Sequence, residues 1–343
     1  MKSSTFVREL TRYIQREFEF ANPEITLDWV NTEGWESEIY AYTLTCGPDE
    51  PRLTTKGVMR LLTGSSFDSA QDEYQALSLL HRAGYPVPEV FAVGDVEEGF
   101  GSPFILMQRI EGGQFSDSFP HHPGDNLKPL RQFVELFRRL HTLDWRPYWD
   151  ELDVLDPPDQ PYFHFDRQMA QFNHYFATHD LEALGAVMAW LEAQRDQVPC
   201  ERGSVVHYDF HPDNILADAD GKLYVVDWTS ALISDYRFDL AWTLTLALAY
   251  GGADRRDMIL NEYLRQMGAA VPGLAVFEAA AITRRLGFVM LSLGAGPEQM
   301  GMRPEAVDAM RRDKVPLTRI YQHLVSLTGI ELPAVWLWLD KFG

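Results

Sequence analysis

Cysteine is almost missing from this chain: of 343 residues, only Cys46 and Cys200 carry a thiol. Two isolated cysteines can build neither a disulfide framework nor a paired-cysteine metal site, so a reducing, cytoplasmic setting is expected. Basic residues are scarce too, with 30 Lys and Arg against 50 Asp and Glu and a formal charge of -20. A surface of that sign repels a phosphate backbone and draws cations, so nucleic acid is not an expected partner. Long apolar runs are absent as well. The most apolar stretch, DLAWTLTLALAY from Asp239 to Tyr250, is well short of the ~20 residues that cross a bilayer, and the first residues are charged throughout. No membrane contact is expected, and no repeat or low-complexity tract is visible.

What is present is core-forming material. Hydrophobic residues make up 46% of the chain, including 20 Phe, 14 Tyr and 9 Trp, enough for one large domain or two lobes. Phe6, Leu10, Ile14 and Phe18 recur at helical spacing and predict an amphipathic opening helix. ITLDWV, SEIYAYTL and KGVMRLL (25–62) are short runs rich in β-branched and aromatic residues, and they predict an antiparallel sheet. A helix should follow, capped by Ser69, with Asp72 and Glu73 in its first turn and Gly84 and Pro86 ending it. PEVFAVGDV and PFILMQRI predict two further strands, and Gly112-Gly113 breaks the pattern.

Beyond residue 113 the periodicity turns helical. Leu130, Val134, Phe137 and His141 form one stripe, and similar patterns recur near 165–178, 181–195, 237–250, 255–267, 276–293 and 304–327. Strand-like SVVH, NILA and LYVVDW interrupt them, with Asp220-Gly221 as a hairpin turn. DVLDPPDQPY (153–162) is the one linker-like piece.

The interrupting segment contains HYDFHPDN (207–214), with Asp227 thirteen residues after Asn214. It resembles the catalytic loop of protein kinases, H-R-D followed by four residues and Asn. It is more similar still to the H-G-D-x-H-x-x-N loop of the aminoglycoside phosphotransferase and choline kinase family, a likeness running from about residue 28 to 250. The resemblance implies an α+β, bilobal, protein-kinase-like fold. Residues 1–108 would form a nucleotide-binding lobe with a small antiparallel sheet and one inserted helix, and 109–343 a larger, mainly helical lobe with the catalytic loop, metal site and acceptor site.

It also implies roles. Asp209 would be the catalytic base that orients an acceptor hydroxyl, Asp227 the main Mg²⁺ ligand and Asn214 the second, with ATP or GTP as phosphoryl donor. The spacing supports this independently: a loop leaving a strand at His207 and re-entering one at Asn214 can gather oxygen donors, and phosphoryl transfer asks of a protein mainly positioning and charge neutralisation. His207 reads as a buttress of the loop, and Asp239 in DYRFDLAWTL as another. Zinc at His207, Asp209 and His211 is disfavoured, because no further paired His or Cys lies nearby.

On the nucleotide side, TEGWESEIYAYTL offers Gly34 and Ser37 as phosphate contacts, with an ordinary hairpin tip as the other reading. Arg60 stands where the family's phosphate-binding lysine is expected, with Glu73 as its partner and Lys56 as the rival cation on the same strand face. Met107 would lie behind the adenine, and the backbone of Gln108 to Ile110 would meet its edge. Trp228-Thr229 replaces the Phe-Gly of protein kinases, and the short run from Asp227 to Asp239 leaves no room for an activation loop. The expected function is therefore transfer of a γ-phosphate to a hydroxyl of a small molecule. The alternative is a silent nucleotide-binding scaffold, motivated by Arg60 and the single glycine of the loop. Asp150, Glu151, Asp153, Asp156 and Asp159 read first as a solvated loop and second as a place for an amine-bearing, cationic acceptor. The oligomeric state is left open.

Overall fold

The computed structural model describes residues 3–20, 22–32, 37–46, 56–63, 65–149, 157, 159–179, 181–295 and 314–340. Contacts divide the chain into two compact units, one taking in Met1–Gln114 and Ile215–Thr229, the other Phe115–Asn214, Ser230–Met300 and Pro304–Gly343.

The first unit is built on a five-stranded antiparallel sheet. Its strands are β1 (Glu24–Asn31), β2 (Ser37–Thr45), β3 (Lys56–Leu62), β4 (Val90–Gly94) and β5 (Phe104–Gln108), in the order β1-β2-β3-β5-β4. Helix α1 (Ser3–Glu17) lays Phe6, Leu10, Tyr13 and Ile14 into a core shared with Tyr40, Met59 and Phe104. Phe6 stacks on Tyr40 at 4.3 Å. Each such fully buried side chain is worth about 1.5–3 kcal/mol, so the expected apolar stripe is what fastens the opening helix.

Helix α2 (Phe67–Arg82) lies between β3 and β4 in sequence and starts earlier than Ser69. Ser66 is the cap: its backbone is extended and its hydroxyl accepts the Ser69 N–H at 3.2 Å. Two serines three residues apart both suit a cap, and the one with extended backbone takes it. Glu73 consequently falls in the second turn, and it is buried.

The remainder of this unit is a three-stranded sheet in which β8 (Ile215–Asp218) pairs with both β6 (Gly112–Gln114) and β9 (Leu223–Val225). A side chain at Gly112 would place its Cβ 1.7 Å from the Ala217 carbonyl oxygen, so only glycine lets β6 approach β8. In the β8–β9 hairpin the Asp218 carboxylate accepts the N–H groups of Asp220 and Lys222 at 3.0 and 2.8 Å, and Gly221 adopts φ 78°.

The second unit is helical, as the periodicity predicts. It contains α3 (Lys128–His141), α4 (Arg146–Trp149), α5 (Phe163–Thr178), α6 (Gly185–Ala193), α7 (Tyr236–Met267), α8 (Leu274–Ala295), α9 (Lys314–Thr328) and α10 (Pro333–Asp340). β7 (Ser204–Val206) pairs with β10 (Leu232–Ser234). Helix α7 runs through both expected stretches, 237–250 and 255–267, and breaks its helical geometry only at Gly252 (φ 81°, ψ -175°). Residues 304–313 of the last expected helix lie outside the described residues. Helix α10 has no sequence signal of comparable strength, because eight residues are too few to show a period. Among the described residues no helix is long and apolar enough to cross a membrane.

Candidate active site

The loop from His207 to Asn214 follows β7 and ends in a 3₁₀ turn, Pro212–Asn214. Its start hangs on one carboxylate. Asp239 of α7, fully buried, accepts the His207 N–H at 2.8 Å and the Tyr208 N–H at 2.9 Å, while His141 Nε2 lies 3.2 Å from its Oδ2. The His141 Nδ1 is 2.8 Å from the Tyr263 hydroxyl, which extends the chain of hydrogen bonds through the helical core. Buried His207 accepts the Asp209 N–H on its Nδ1 at 3.3 Å.

Tyr208 adopts φ 63°, a left-handed conformation that costs a non-glycine residue about 1–2 kcal/mol. Here the strain is offset by fixed partners: the Asp239 contact, the Tyr208 hydroxyl bonded to Gln168 Oε1 at 2.6 Å, and the Tyr208 carbonyl accepting from Arg284 at 3.3 Å.

Asp209 and Asn214, predicted to be neighbours, are neighbours. Asn214 Nδ2 donates to the Asp209 carbonyl at 2.9 Å and reaches its Oδ2 at 3.4 Å. The Asp209 Oδ1 accepts the indole N–H of Trp242 at 2.9 Å, and His211 Nε2 lies 3.4 Å from Oδ2. Burial by itself would raise the Asp209 carboxyl; the His211 hydrogen bond and charge, the Trp242 N–H and nearby His207 overcome it and hold the group well below the usual carboxylate range. His211 is the mirror case, with burial opposed by Asp209 and Asp213, which carry the imidazole up to about 9. Asp213, bonded to His211, is lowered to about 2. Among the described residues no group of three or more His, Cys, Asp or Glu is placed to hold a metal ion.

In the first unit, Arg60 of β3 joins two acids. Its Nη1 binds the Oε1 of buried Glu73, and its Nη2 binds Asp227 Oδ1 at 2.8 Å. The Glu73 Oε1 also accepts the Trp228 N–H at 3.2 Å, which ties α2 to the residue after Asp227. Asp227 adopts φ 68°, takes a 3.3 Å bond from Thr229 and is 39% exposed at its side chain. Lys56, the rival cation, turns instead to Glu111 at 2.7 Å.

Met107 is buried in β5. The N–H of Gln108 is spent on Glu89 at 2.7 Å and that of Arg109 on Lys56 at 3.4 Å, both to carbonyl oxygens. Ile110 follows at partial exposure, and Ser37 opens β2 opposite Leu62. Gly34 lies outside the described residues, as do Asp150, Glu151, Asp153 and Asp156; Asp159 is exposed.

Trp242 and Arg284 were not legible as site residues. They lie 33 and 75 positions beyond Asp209 on α7 and α8, inside apolar helical patterns that predict only core.

With the 207–214 loop and its anchors in place, the class of protein is defined by comparison. Residues 50–278 match the phosphotransferase enzyme family (APH), and the chain belongs to that family. It is 28% identical over 199 residues to an aminoglycoside 3'-phosphotransferase of Streptomyces fradiae, covering 56% of this chain and 69% of that protein. It is 26% identical over 196 residues to acyl-CoA dehydrogenase family member 10 of Mus musculus, a match that takes in 54% of this chain and 17% of the mouse protein. In fold it is similar to the choline kinase LicA of Streptococcus pneumoniae, with a TM-score of 0.56, 15% identity, and coverage of 94% of this chain and 99% of that one. LicA is also known in complex with AMP. These likenesses establish the kinase-like α+β fold expected from the sequence.

Proposed function

We propose that the protein is a small-molecule kinase that moves the γ-phosphoryl group of ATP or GTP to an acceptor hydroxyl, with Asp209 as the acceptor-orienting base. In this reading the sheet unit is the nucleotide-binding lobe and the helical unit the acceptor lobe. The observation that carries it is the Asp209 carboxylate, which accepts from Trp242 at 2.9 Å and from Asn214 at 3.4 Å, on a loop whose backbone is anchored by Asp239. The acceptor oxygen bonds to the γ-phosphorus as the bond to the β,γ-bridging oxygen breaks; the nucleoside diphosphate leaves, and the hydroxyl proton passes to Asp209 and then to solvent. A carboxylate held below its usual range is a poor ground-state base, so its main contribution is alignment of the hydroxyl.

The donor set suits a hard divalent cation. Asn214 commits its amide nitrogen to Asp209, which leaves Oδ1 as the ligating atom, and Asp227 brings a partly exposed carboxylate. Asp227 would be the main Mg²⁺ ligand and Asn214 the second, phosphate and water completing a shell for which a larger protein cluster is not needed. Bound Mg²⁺ would supply neutralisation of phosphate charge. Arg60, pre-set by Glu73, is the cation proposed for the α- and β-phosphates in place of lysine, and Lys56, engaged by Glu111, is not. With the Gln108 and Arg109 donors already used, the base edge would be met by the Ile110 N–H, in front of Met107; Gly34 and Ser37 remain the proposed phosphate-loop contacts.

The test is transfer of label from γ-labelled ATP or GTP, with Mg²⁺, into a pool of alcohols, sugars, hydroxy acids and amino alcohols. Label in a small organic product is the expected result. Mg²⁺-dependent nucleotide binding with no label in any acceptor and no phosphate release would instead make the protein a silent scaffold.

A further inference from the structure

Choline and aminoglycosides are cations, and an acceptor of that kind is held by open aromatic faces or by carboxylates not already matched. Among the described residues of the helical unit, the carboxylates at this loop are all engaged. Asp209 is met by Trp242 and His211, Asp213 by His211, and Asp239 by two backbone N–H groups and His141. The unmatched charge there has the opposite sign.

Arg284 of α8 lies with its guanidinium 4.2 Å from the centre of the Trp242 ring and 5.1 Å from that of Tyr208. Among the described residues it makes one hydrogen bond, to the Tyr208 carbonyl at 3.3 Å, and no salt bridge. The residue as a whole is only partly buried. Burial lowers its pKa, and Tyr208, Asp209 and Asp239 offset that only in part. A guanidinium clamped by aromatic faces presents its N–H edge as a planar fork, the geometry that fits a carboxylate or phosphate in bidentate fashion. The indole beneath it is the one that donates to Asp209 Oδ1, so a single ring sets the spacing between the cation and the proposed hydroxyl-orienting oxygen. Arg167 repeats the pattern: partly buried, its Nη2 bonded to the Ile233 carbonyl at 2.7 Å, and among the described residues with no carboxylate partner. Its neighbour Gln168 accepts the Tyr208 hydroxyl, so it approaches the same residue from α5.

The geometry points to an acceptor that carries an anionic group, a carboxylate or a phosphate, paired with the Arg284 guanidinium while its hydroxyl meets Asp209. This rests on the kinase reading and narrows its substrate class to hydroxy acids and phosphorylated alcohols, in place of amines. A role confined to supporting Tyr208 is a poor use of this side chain, since one long bond to a carbonyl needs neither a planar fork nor a permanent charge.

The experiment compares matched probes: short-chain hydroxycarboxylic acids against their primary amides and the corresponding amino alcohols, and glycerol phosphate against glycerol. Initial rates with MgATP are measured for the wild type, Arg284→Gln and Arg284→Lys, each checked for an unchanged thermal midpoint. Calorimetry with MgADP in place of MgATP measures acceptor binding without transfer. The expected result is a preference for one anionic series, a KM for it raised about 10- to 100-fold by Arg284→Gln, a smaller change for Arg284→Lys, and an uncharged partner hardly affected. Preference for the carboxylate or for the phosphate series identifies the group. Transfer to amides or amino alcohols that is indifferent to Arg284, or a Gln variant that slows all acceptors alike, overturns the inference and leaves the kinase reading standing. Arg284-dependent binding of an anionic acceptor with no transfer from ATP does the reverse.

Discussion

Replacing Asp239 by Asn tests what holds the loop proposed to be catalytic. The carboxylate is fully buried and accepts the His207 and Tyr208 N–H groups on different oxygens, at 2.8 and 2.9 Å. An amide of the same shape has one acceptor oxygen, so whichever way it turns, its NH₂ faces a backbone N–H. One buried donor is then left unsatisfied, at about 1–3 kcal/mol, and the surviving bond loses its charge assistance. Tyr208, already at φ 63°, has less to keep it left-handed. A total near 3 kcal/mol is expected, and with a urea slope of about 2–3 kcal/mol/M the unfolding midpoint should fall by about 1 M. Turnover should fall as well while nucleotide affinity holds, because the nucleotide contacts proposed here lie in the other unit. A midpoint within about 0.2 M of the wild type would refute the reasoning, since an anchor that can be neutralised without cost is not an anchor.

Two further outcomes follow from buried charge. Arg60→Met should remove the cation that faces the buried Glu73 carboxylate, with a loss of about 3–5 kcal/mol in stability and of the thermal shift produced by Mg²⁺ and nucleotide, whereas Arg60→Lys should retain most of both; equal behaviour of the two variants would show that the charge is not what matters. Glu278, between Arg256 at 2.7 and 2.8 Å and His323 at 3.4 Å, would be raised by burial, but these partners lower it below its ordinary value of 4.5. A lowered folded-state value means stabilisation that is present above pH 4.5 and lost as the pH falls through the folded value. Glu278→Gln should therefore be less stable at neutral pH and show a shallower acid decline in a series of thermal midpoints; parallel curves would contradict this.

Much of the architecture could be read from the chain because its signals are local. β-branched and aromatic runs mark the five strands, and the stripe of Phe6, Leu10 and Ile14 marks the helix that packs on them. The loop HYDFHPDN was legible because chemistry fixes both residue types and spacing, and the bonds from Asn214 to Asp209 follow from that spacing. What could not be read depends on pairings distant in sequence. Nothing near Trp242 marks it as a donor to Asp209, because in its own helix it is one apolar residue among many. The pairing of Arg60 with Glu73, thirteen residues away, was expected, but its second bond, to Asp227, which lies 167 residues away, is hidden in the same way. The start of α2 was misplaced because the choice between Ser66 and Ser69 is made by backbone conformation, not by composition.

The account stands most directly on Asp209. With an acceptor found in the label-transfer screen, kcat is measured for the wild type and for Asp209→Asn, beside the dissociation constant of MgATP from calorimetry. The account predicts that kcat falls about 100- to 10,000-fold while nucleotide affinity changes less than about twofold. A variant that turns over at the wild-type rate would contradict it.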